Sequence, residues 1–114
     1  MRRQQNRRTG AEDITKPLPL LITATAQNDL AEIWAFIATD NPDAATRLLH
    51  EIRERFDPLC LNPELGPKRD YLSPGLRVHH HRNYAIYYRV IPSGLAIMRV
   101  LHTARDATVQ LGDD

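Results

Sequence analysis

The sequence lacks several features that would define particular classes of protein. It has one cysteine, Cys60, in 114 residues, so an internal disulfide and a cysteine-based zinc site are both excluded. No apolar run approaches the roughly 20 residues that cross a bilayer, and the basic N-terminus lacks the apolar stretch of a secretory signal. We therefore expect a cytoplasmic protein without a membrane span, in which Cys60 packs among apolar residues near a helix end.

The composition that remains is that of an ordinary globular domain, with 42% apolar and 25% charged residues. The net charge of +1 is unevenly distributed, because residues 1–16 carry five cations and two anions and the remainder is about −2. We expect residues 1–17 to form a basic, disordered arm and residues 18–111 to form one domain. The arm is read as a solvated leader, or as the result of a start codon placed too far upstream, and nonspecific attraction of phosphate by the arm is the alternative. Direct nucleic-acid binding by the acidic domain is not expected.

The first half of the domain predicts a strand followed by two helices. Residues 18–23 are short and apolar, and Pro19 places this strand at an edge of a sheet. Thr25 is expected to cap a first helix that runs to about residue 39. Asn41 and Pro42 are then expected to begin a second helix whose apolar stripe reaches Leu59 and which ends at Asn62-Pro63. The two helices would form a hairpin.

The second half predicts a sheet. Strands are expected near residues 76–82, 84–91 and 95–102, with a turn at 92–94 and a further short strand at 68–72. The order of elements therefore predicts an α+β domain. It consists of an N-terminal strand, a helical hairpin and a three- to four-stranded antiparallel sheet packed on the two helices.

Some side chains suit either a core or a binding role. Trp34 and Phe56 lie on apolar helical stripes and are predicted to be core, whereas Phe36 lies off the stripe and can meet a partner. His79 and His81 share one face of a strand, but two imidazoles do not complete a metal site. We therefore predict no metal and no cofactor.

Short motifs that follow one another along the domain resemble the ParE/RelE superfamily of bacterial toxins. The resemblance rests on the helix start at 26–33, the loop at 62–66, the turn at 75–77, the strand at 84–89 and the segment at 99–106. The helix opening, the Leu-Gly-Pro loop and the Val-Leu-His-x-x-Arg-Asp ending are more similar to the ParE branch, also called plasmid stabilisation proteins. This resemblance implies the RelE/ParE-like fold.

The resemblance also implies a function. It indicates the toxin of a type II toxin-antitoxin system, neutralised in a hetero-oligomer by a cognate antitoxin that is ParD-like or related. ParE-like members inhibit DNA gyrase without catalysis, whereas RelE-like members cleave messenger RNA on the ribosome. We expect a noncatalytic gyrase inhibitor that arrests growth. The alternatives are a ribosome-dependent endoribonuclease and a non-toxic relative that only binds its partner.

Cations and a tyrosine on the predicted sheet are the candidate site residues. An acidic antitoxin would suit an arginine-lined sheet. In the nuclease alternative, His102 would move protons while Arg82 and Arg77 bound phosphate. Few basic residues precede the central strands, and this scarcity favours partner binding over RNA cleavage. The candidate partner-binding residues are Arg77, Arg82, Tyr87, Arg89, Arg99 and Arg105.

Overall fold

The computed structural model describes residues 16–109 and residue 111. The predicted basic arm lies outside the described residues except for positions 16 and 17, which are exposed coil. No helix in the described part of the chain is long and apolar enough to cross a membrane. The elements in chain order are β1 (Leu20–Ile22), α1 (Ala24–Ala38), α2 (Pro42–Glu54), α3 (Phe56–Leu61), β2 (Arg77–His81), β3 (Tyr84–Ile91) and β4 (Gly94–His102).

The strands form one sheet in the order β1-β4-β3-β2. β2, β3 and β4 are antiparallel neighbours, and β1 joins the free edge of β4 in parallel, with Leu20 opposite Leu95. The α+β order and the edge position of β1 are confirmed, but the sheet is mixed, because the helices and later strands let the chain return alongside β1 in the same direction. The short strand predicted at 68–72 is reduced to a single antiparallel bridge between Lys68 and Arg77.

Thr23 joins β1 to α1 and acts in both elements. Its backbone N–H donates to the Ile97 carbonyl at 3.2 Å and extends the ladder with β4. Its hydroxyl oxygen accepts from the Ala26 N–H at 3.1 Å and caps the helix. The prediction of Thr25 as the cap is wrong, because α1 begins as soon as the strand pairing ends.

The second helical stretch is divided into α2 and α3. Asn41 caps α2 by accepting from the Ala44 N–H at 3.0 Å, and Pro42 is the first helical residue, as predicted. The prediction of one continuous helix is wrong, because α2 ends at Glu54, but the predicted end at Asn62-Pro63 agrees with the end of α3 at Leu61. Pro58 explains the break, since it has no N–H to donate and its ring would clash with the Glu54 carbonyl.

The main core lies between the helices and the sheet face that they cover. Phe56 is 1% exposed, as predicted, and Cys60 is buried near the end of α3. Burial raises the pKa of the Cys60 thiol, and the nearby Asp57 charge adds to the effect. The main buried cluster comprises Ala26, Leu30, Ile33, Ile52, Phe56, Leu59, Cys60, Tyr84, Ile86, Tyr88, Leu95, Ile97 and Val100.

Trp34 is not part of this core. It is 40% exposed, and its indole N–H donates to Thr46 Oγ1 of α2 at 3.1 Å. The Ile33 side chain points into the core. The next residue, Trp34, points about 100° further round the helix, towards the outer side of the contact between α1 and α2. Phe36 is 62% exposed, which agrees with its predicted place off the stripe.

Tyr88 holds the loop after α3 against the sheet through two hydrogen bonds. Its hydroxyl donates to the Pro63 carbonyl at 2.7 Å and accepts from the Gly66 N–H at 2.8 Å. A Cβ at Gly66 would overlap the Val78 carbonyl and lie 2.8 Å from the Tyr88 hydroxyl, so the close approach requires glycine. The loop then passes along the outer edge of β2 and forms a turn over residues 69–75.

Candidate partner-binding surface

The side of the sheet turned away from the helices, called here the second face, is only partly covered. Tyr87 and Arg89 lie on it because they alternate with core residues of β3, as the strand period predicts. The second face also has a small buried set of its own, outside the main core. The pairing register places Leu76, Val78, Ala85, Ala96 and Leu101 in this set.

Two segments border the second face. The turn at 69–75 lies on the side of β2, and residues 103–109 and 111 lie at the end of β4, beside a depression of about 210 Å³ that includes Tyr87. Between these segments, Tyr87 and Arg89 are partly exposed, whereas Ala85 and Ala96 are buried.

Arg89 has few partners for its charge. Its Nη2 donates to the Ser73 hydroxyl at 2.7 Å. Its Nε is buried and has no acceptor among residues 16–109 and 111, and within the same residues Arg89 forms no ion pair. No carboxylate of the described residues therefore pairs with this partly buried guanidinium on the second face.

Tyr87 lies beside residues of the turn. Burial raises the pKa of Tyr87, the nearby Tyr71 raises it further, and the Arg69 charge lowers it in part. Tyr71 is 80% exposed. The sequence indicated a turn at Ser73-Pro74-Gly75, but no signal in it shows that this turn brings Tyr71 and Ser73 to the second face.

Arg99 is held at the edge of β4 by an ion pair. Its Nε and Nη2 donate to the Asp29 carboxylate at 2.8 and 3.0 Å. Asp29 is 6% exposed and also accepts from the Val100 N–H at 3.0 Å. The Asp29 carboxylate thereby supplies the acceptor that a neighbouring strand would supply, at a position beyond the end of β1. Sequence analysis did not assign this role to Asp29.

Arg82 is bonded to α2 through Glu51. Glu51 Oε1 accepts from Arg82 Nε and lies close to His81 Nε2, both at 3.0 Å. The His81 hydrogen bond lowers the pKa of Glu51, burial opposes the effect, and the Arg82 charge lowers the pKa further. Arg82 has φ 55, a conformation that favours glycine, and this contact holds it there. His80 is exposed on the opposite side, and the described residues contain no group of three metal-ligand side chains.

Arg77 lies at the other end of β2 from Arg82. Its Nη1 donates to the Gly66 carbonyl at 2.8 Å and supports the loop after α3. Five strand residues span roughly 16 Å, so Arg77 and Arg82 do not converge on one phosphate-sized point. His102 lies at the Arg82 end, because the Thr103 N–H next to it donates to the Asn83 carbonyl.

His102 and Arg105 organise the chain after β4. His102 Nδ1 accepts from the Ala104 and Arg105 N–H groups at 3.3 and 3.0 Å, so a neutral ring carries its proton on Nε2. The ring packs edge-on against Tyr84, with centroids 5.2 Å apart. The Arg105 guanidinium lies 4.4 Å above the Phe36 ring of α1, in a cation–π contact.

The candidate residues therefore divide among several places. Tyr87 and Arg89 come together on the second face. Arg99 and Arg105 contact α1, whereas Arg82 contacts α2 and Arg77 contacts the loop after α3.

Solved structures show which class of fold this arrangement represents. The chromosomal ParDE toxin-antitoxin system from P. aeruginosa matches with a TM-score of 0.65 and 24% identity, over 75% of this chain and 95% of that chain. The toxin-antitoxin complex RelBE2 from Mycobacterium tuberculosis matches with a TM-score of 0.57 and 24% identity, over 76% of this chain and 99% of that chain. The fold is thus the one found in ParDE and RelBE systems.

Sequence comparison identifies the family within that class. The model of the ParE toxin of the type II toxin-antitoxin system parDE matches residues 20–107. Toxin ParE3 of Caulobacter vibrioides is 29% identical over 91 residues, which cover 79% of this chain and 91% of that protein. The chain belongs to the ParE toxin family of type II toxin-antitoxin systems.

Proposed function

We propose that this ParE-family toxin is a noncatalytic inhibitor of DNA gyrase that a cognate antitoxin holds inactive. The observation that carries the proposal is the family match, which extends from β1 to just beyond β4. The geometry of the nuclease candidates also favours a noncatalytic role. Arg77 and Arg82 are bonded within the chain at opposite ends of β2, and His102 Nδ1 is occupied by backbone donors.

The surface of the helical hairpin supports an antitoxin partner. Trp34 and Phe36 are large exposed apolar side chains on α1. A groove of about 130 Å³ between α1 and α2 is lined by Trp34, Leu49 and Arg53, among others. An amphipathic helix with acidic residues beside its apolar stripe would cover Trp34 and this groove, and such helix-in-groove binding is a common mode of recognition. Phe36 lies about 200° further round α1, beside Arg105, and is outside the groove.

Two assays in parallel test the target. Purified protein is added to a gyrase supercoiling reaction and to a cell-free translation reaction. We expect loss of supercoiling and unchanged translation, and His102→Ala should inhibit gyrase as the wild type does. Codon-linked cleavage of messenger RNA that His102→Ala abolishes would instead establish the endoribonuclease. Activity in neither assay would favour a non-toxic relative.

The antitoxin is tested by co-expression with the small acidic protein that we expect to be encoded directly upstream. The two proteins should co-purify, and adding the partner should restore supercoiling in the gyrase reaction. Growth arrest should occur on induction of the toxin alone and disappear on induction of both. A protein that arrests growth equally with and without the partner would contradict neutralisation.

A further inference from the structure

A cavity of about 540 Å³ lies between the residues before β1, the loop after α3 and the turn at 69–75. Arg77 and Val90 line it, and their strand partners Tyr88 and Leu95 belong to the main core, so it opens on the helical side of the sheet. Its volume falls within the roughly 300–1,000 Å³ of small-molecule sites. It is called here the loop cavity.

Two cations line the loop cavity from neighbouring segments of the chain. Lys68 and Arg77 are directly opposite each other in an antiparallel bridge, so their side chains lie on the same side, with Cβ atoms roughly 4.5–5.5 Å apart. Like charges in this position repel each other. Neither residue forms an ion pair within the described part of the chain. An anion bound between them would remove the repulsion.

The fold holds Arg77 in place and leaves part of its guanidinium for a ligand. Its Nη1 donates to the Gly66 carbonyl at 2.8 Å. A guanidinium has five N–H groups, and within the described residues this side chain makes no other hydrogen bond. Two oxygens of one carboxylate can therefore accept from the remaining N–H groups.

Apolar side chains form another part of the wall. Leu18, Pro63 and Val90 all line the cavity. Val90 is 54% exposed, although it is a β-branched apolar residue in a strand. Removing such surface from water is favourable, so a ligand with an apolar group gains more from this cavity than a simple anion does.

Two acids limit the charge that a ligand can carry. Glu64 and Asp70 also line the cavity, and neither forms an ion pair with a described residue. Asp70 Oδ1 accepts from the Gly75 N–H at 2.9 Å, which holds this carboxylate at the turn. Because the two acids balance the two cations, they repel a dianion such as phosphate more strongly than a ligand with one negative charge.

We infer that the loop cavity binds a small free carboxylate that carries a branched apolar group. The carboxylate lies between Lys68 and Arg77, and the apolar group covers Pro63 and Val90. The site goes beyond the proposed function and lies apart from the groove between α1 and α2.

A titration followed by NMR tests the site directly. The full chain, labelled with ¹⁵N, is titrated with 4-methylpentanoate at constant pH and ionic strength. We expect the Arg77 Nε–H and Val90 amide resonances to shift and to saturate by about 10 mM, an affinity suited to a ligand with so few atoms. A shift that does not saturate would overturn the proposal.

Two matched probes each lack one feature of this ligand. The amide 4-methylpentanamide has no charge, and acetate has no branched apolar group. Each should bind at least about tenfold more weakly than 4-methylpentanoate, because it loses either the charge-assisted hydrogen bonds or the apolar contact. Equal binding of the amide or of acetate would overturn the proposal.

Variants of the chain locate the site. Lys68→Gln should weaken binding of 4-methylpentanoate about threefold to tenfold, and Val90→Thr, which replaces a methyl group by a hydroxyl, about threefold. Arg47→Gln removes an exposed cation of α2 outside the cavity and should leave the affinity unchanged. Circular dichroism of each free variant checks that it is folded. Equal losses in Lys68→Gln and Arg47→Gln would show general attraction of anions and would overturn the site.

Two further probes identify the class of ligand. N-acetyl-glycyl-leucine presents the same carboxylate and apolar group at the end of a peptide, and inorganic phosphate presents a dianion. Both should bind more weakly than 4-methylpentanoate, and tighter binding of either would contradict the assignment to a free carboxylate. These titrations do not depend on toxicity, so a protein that leaves gyrase active but binds 4-methylpentanoate loses the proposed function and keeps the site.

Discussion

At the scale of single residues, the same side-chain type serves different purposes according to the partner that the fold supplies. The Arg99 side chain is 18% exposed and is paired with a carboxylate of α1. Within the described residues, the Arg89 guanidinium makes one hydrogen bond, to Ser73 of the turn. Sequence pattern identified both as sheet arginines but could not tell them apart, because Asp29 lies seventy positions before Arg99.

Asp29 is predicted to contribute strongly to stability. Asp29→Asn should lower the free energy of unfolding by about 2–4 kcal/mol, because it removes the charge partner of Arg99 and weakens the acceptor of the Val100 N–H. Urea denaturation measures the change. Glu32→Gln, an exposed acid one turn later in α1, is the matched control and should stay within about 0.5 kcal/mol. Equal effects of the two variants would contradict the role of Asp29.

Glu51 is predicted to make stability depend on pH in the acidic range. Since its pKa is lowered in the folded protein, chiefly by the His81 hydrogen bond, its contribution is present above the ordinary glutamate pKa of about 4.3. The contribution is lost as the pH falls through the lowered value, because the unfolded chain then binds the proton more readily. The midpoint temperature of thermal unfolding should therefore be higher for the wild type than for Glu51→Gln at pH 6, and this difference should shrink towards pH 3.

At the scale of the elements, the reliability of sequence analysis depends on whether the signal is local. The start of α2 was predicted correctly, because Asn41 and Pro42 lie next to the residues that they affect. The start of α1 and the exposure of Trp34 were predicted wrongly, since the pairing of β1 with β4 and the position of α2 decide them. The partner-binding residues remain a prediction.

Thr23 is predicted to be the cap that matters for α1. Thr23→Ala should cost about 1–2 kcal/mol, because the Ala26 N–H loses its acceptor and the hydroxyl bond to the Ile97 carbonyl is also lost. Thr25→Ala should be neutral or slightly stabilising, since alanine is the better helix former inside the first turn. Guanidinium denaturation compares the two variants. A larger loss of stability in Thr25→Ala than in Thr23→Ala would instead identify Thr25 as the cap.

At the scale of the whole molecule, the two sides of the sheet contribute unequally to the buried core. The helices cover one side and enclose the main core. The second face keeps a smaller buried set, which includes Val78 and Leu101. A protein of this size has one core to stabilise it, so the second face can carry partly satisfied groups such as Arg89 at little risk to the fold.

This division predicts where truncations are costly. Ile97 of β4 is fully buried against the helices, and Ile97→Ala should lower the free energy of unfolding by about 2–5 kcal/mol. Leu21, on the neighbouring strand, lies opposite Ala96 on the second face and is 50% exposed. Leu21→Ala should cost less than about 1 kcal/mol, because most of its side chain stays in water. Urea denaturation of both variants measures the two changes in the free energy of unfolding. A cost for Leu21→Ala that equals the cost for Ile97→Ala would mean that the second face contributes to the core as much as the helical side does.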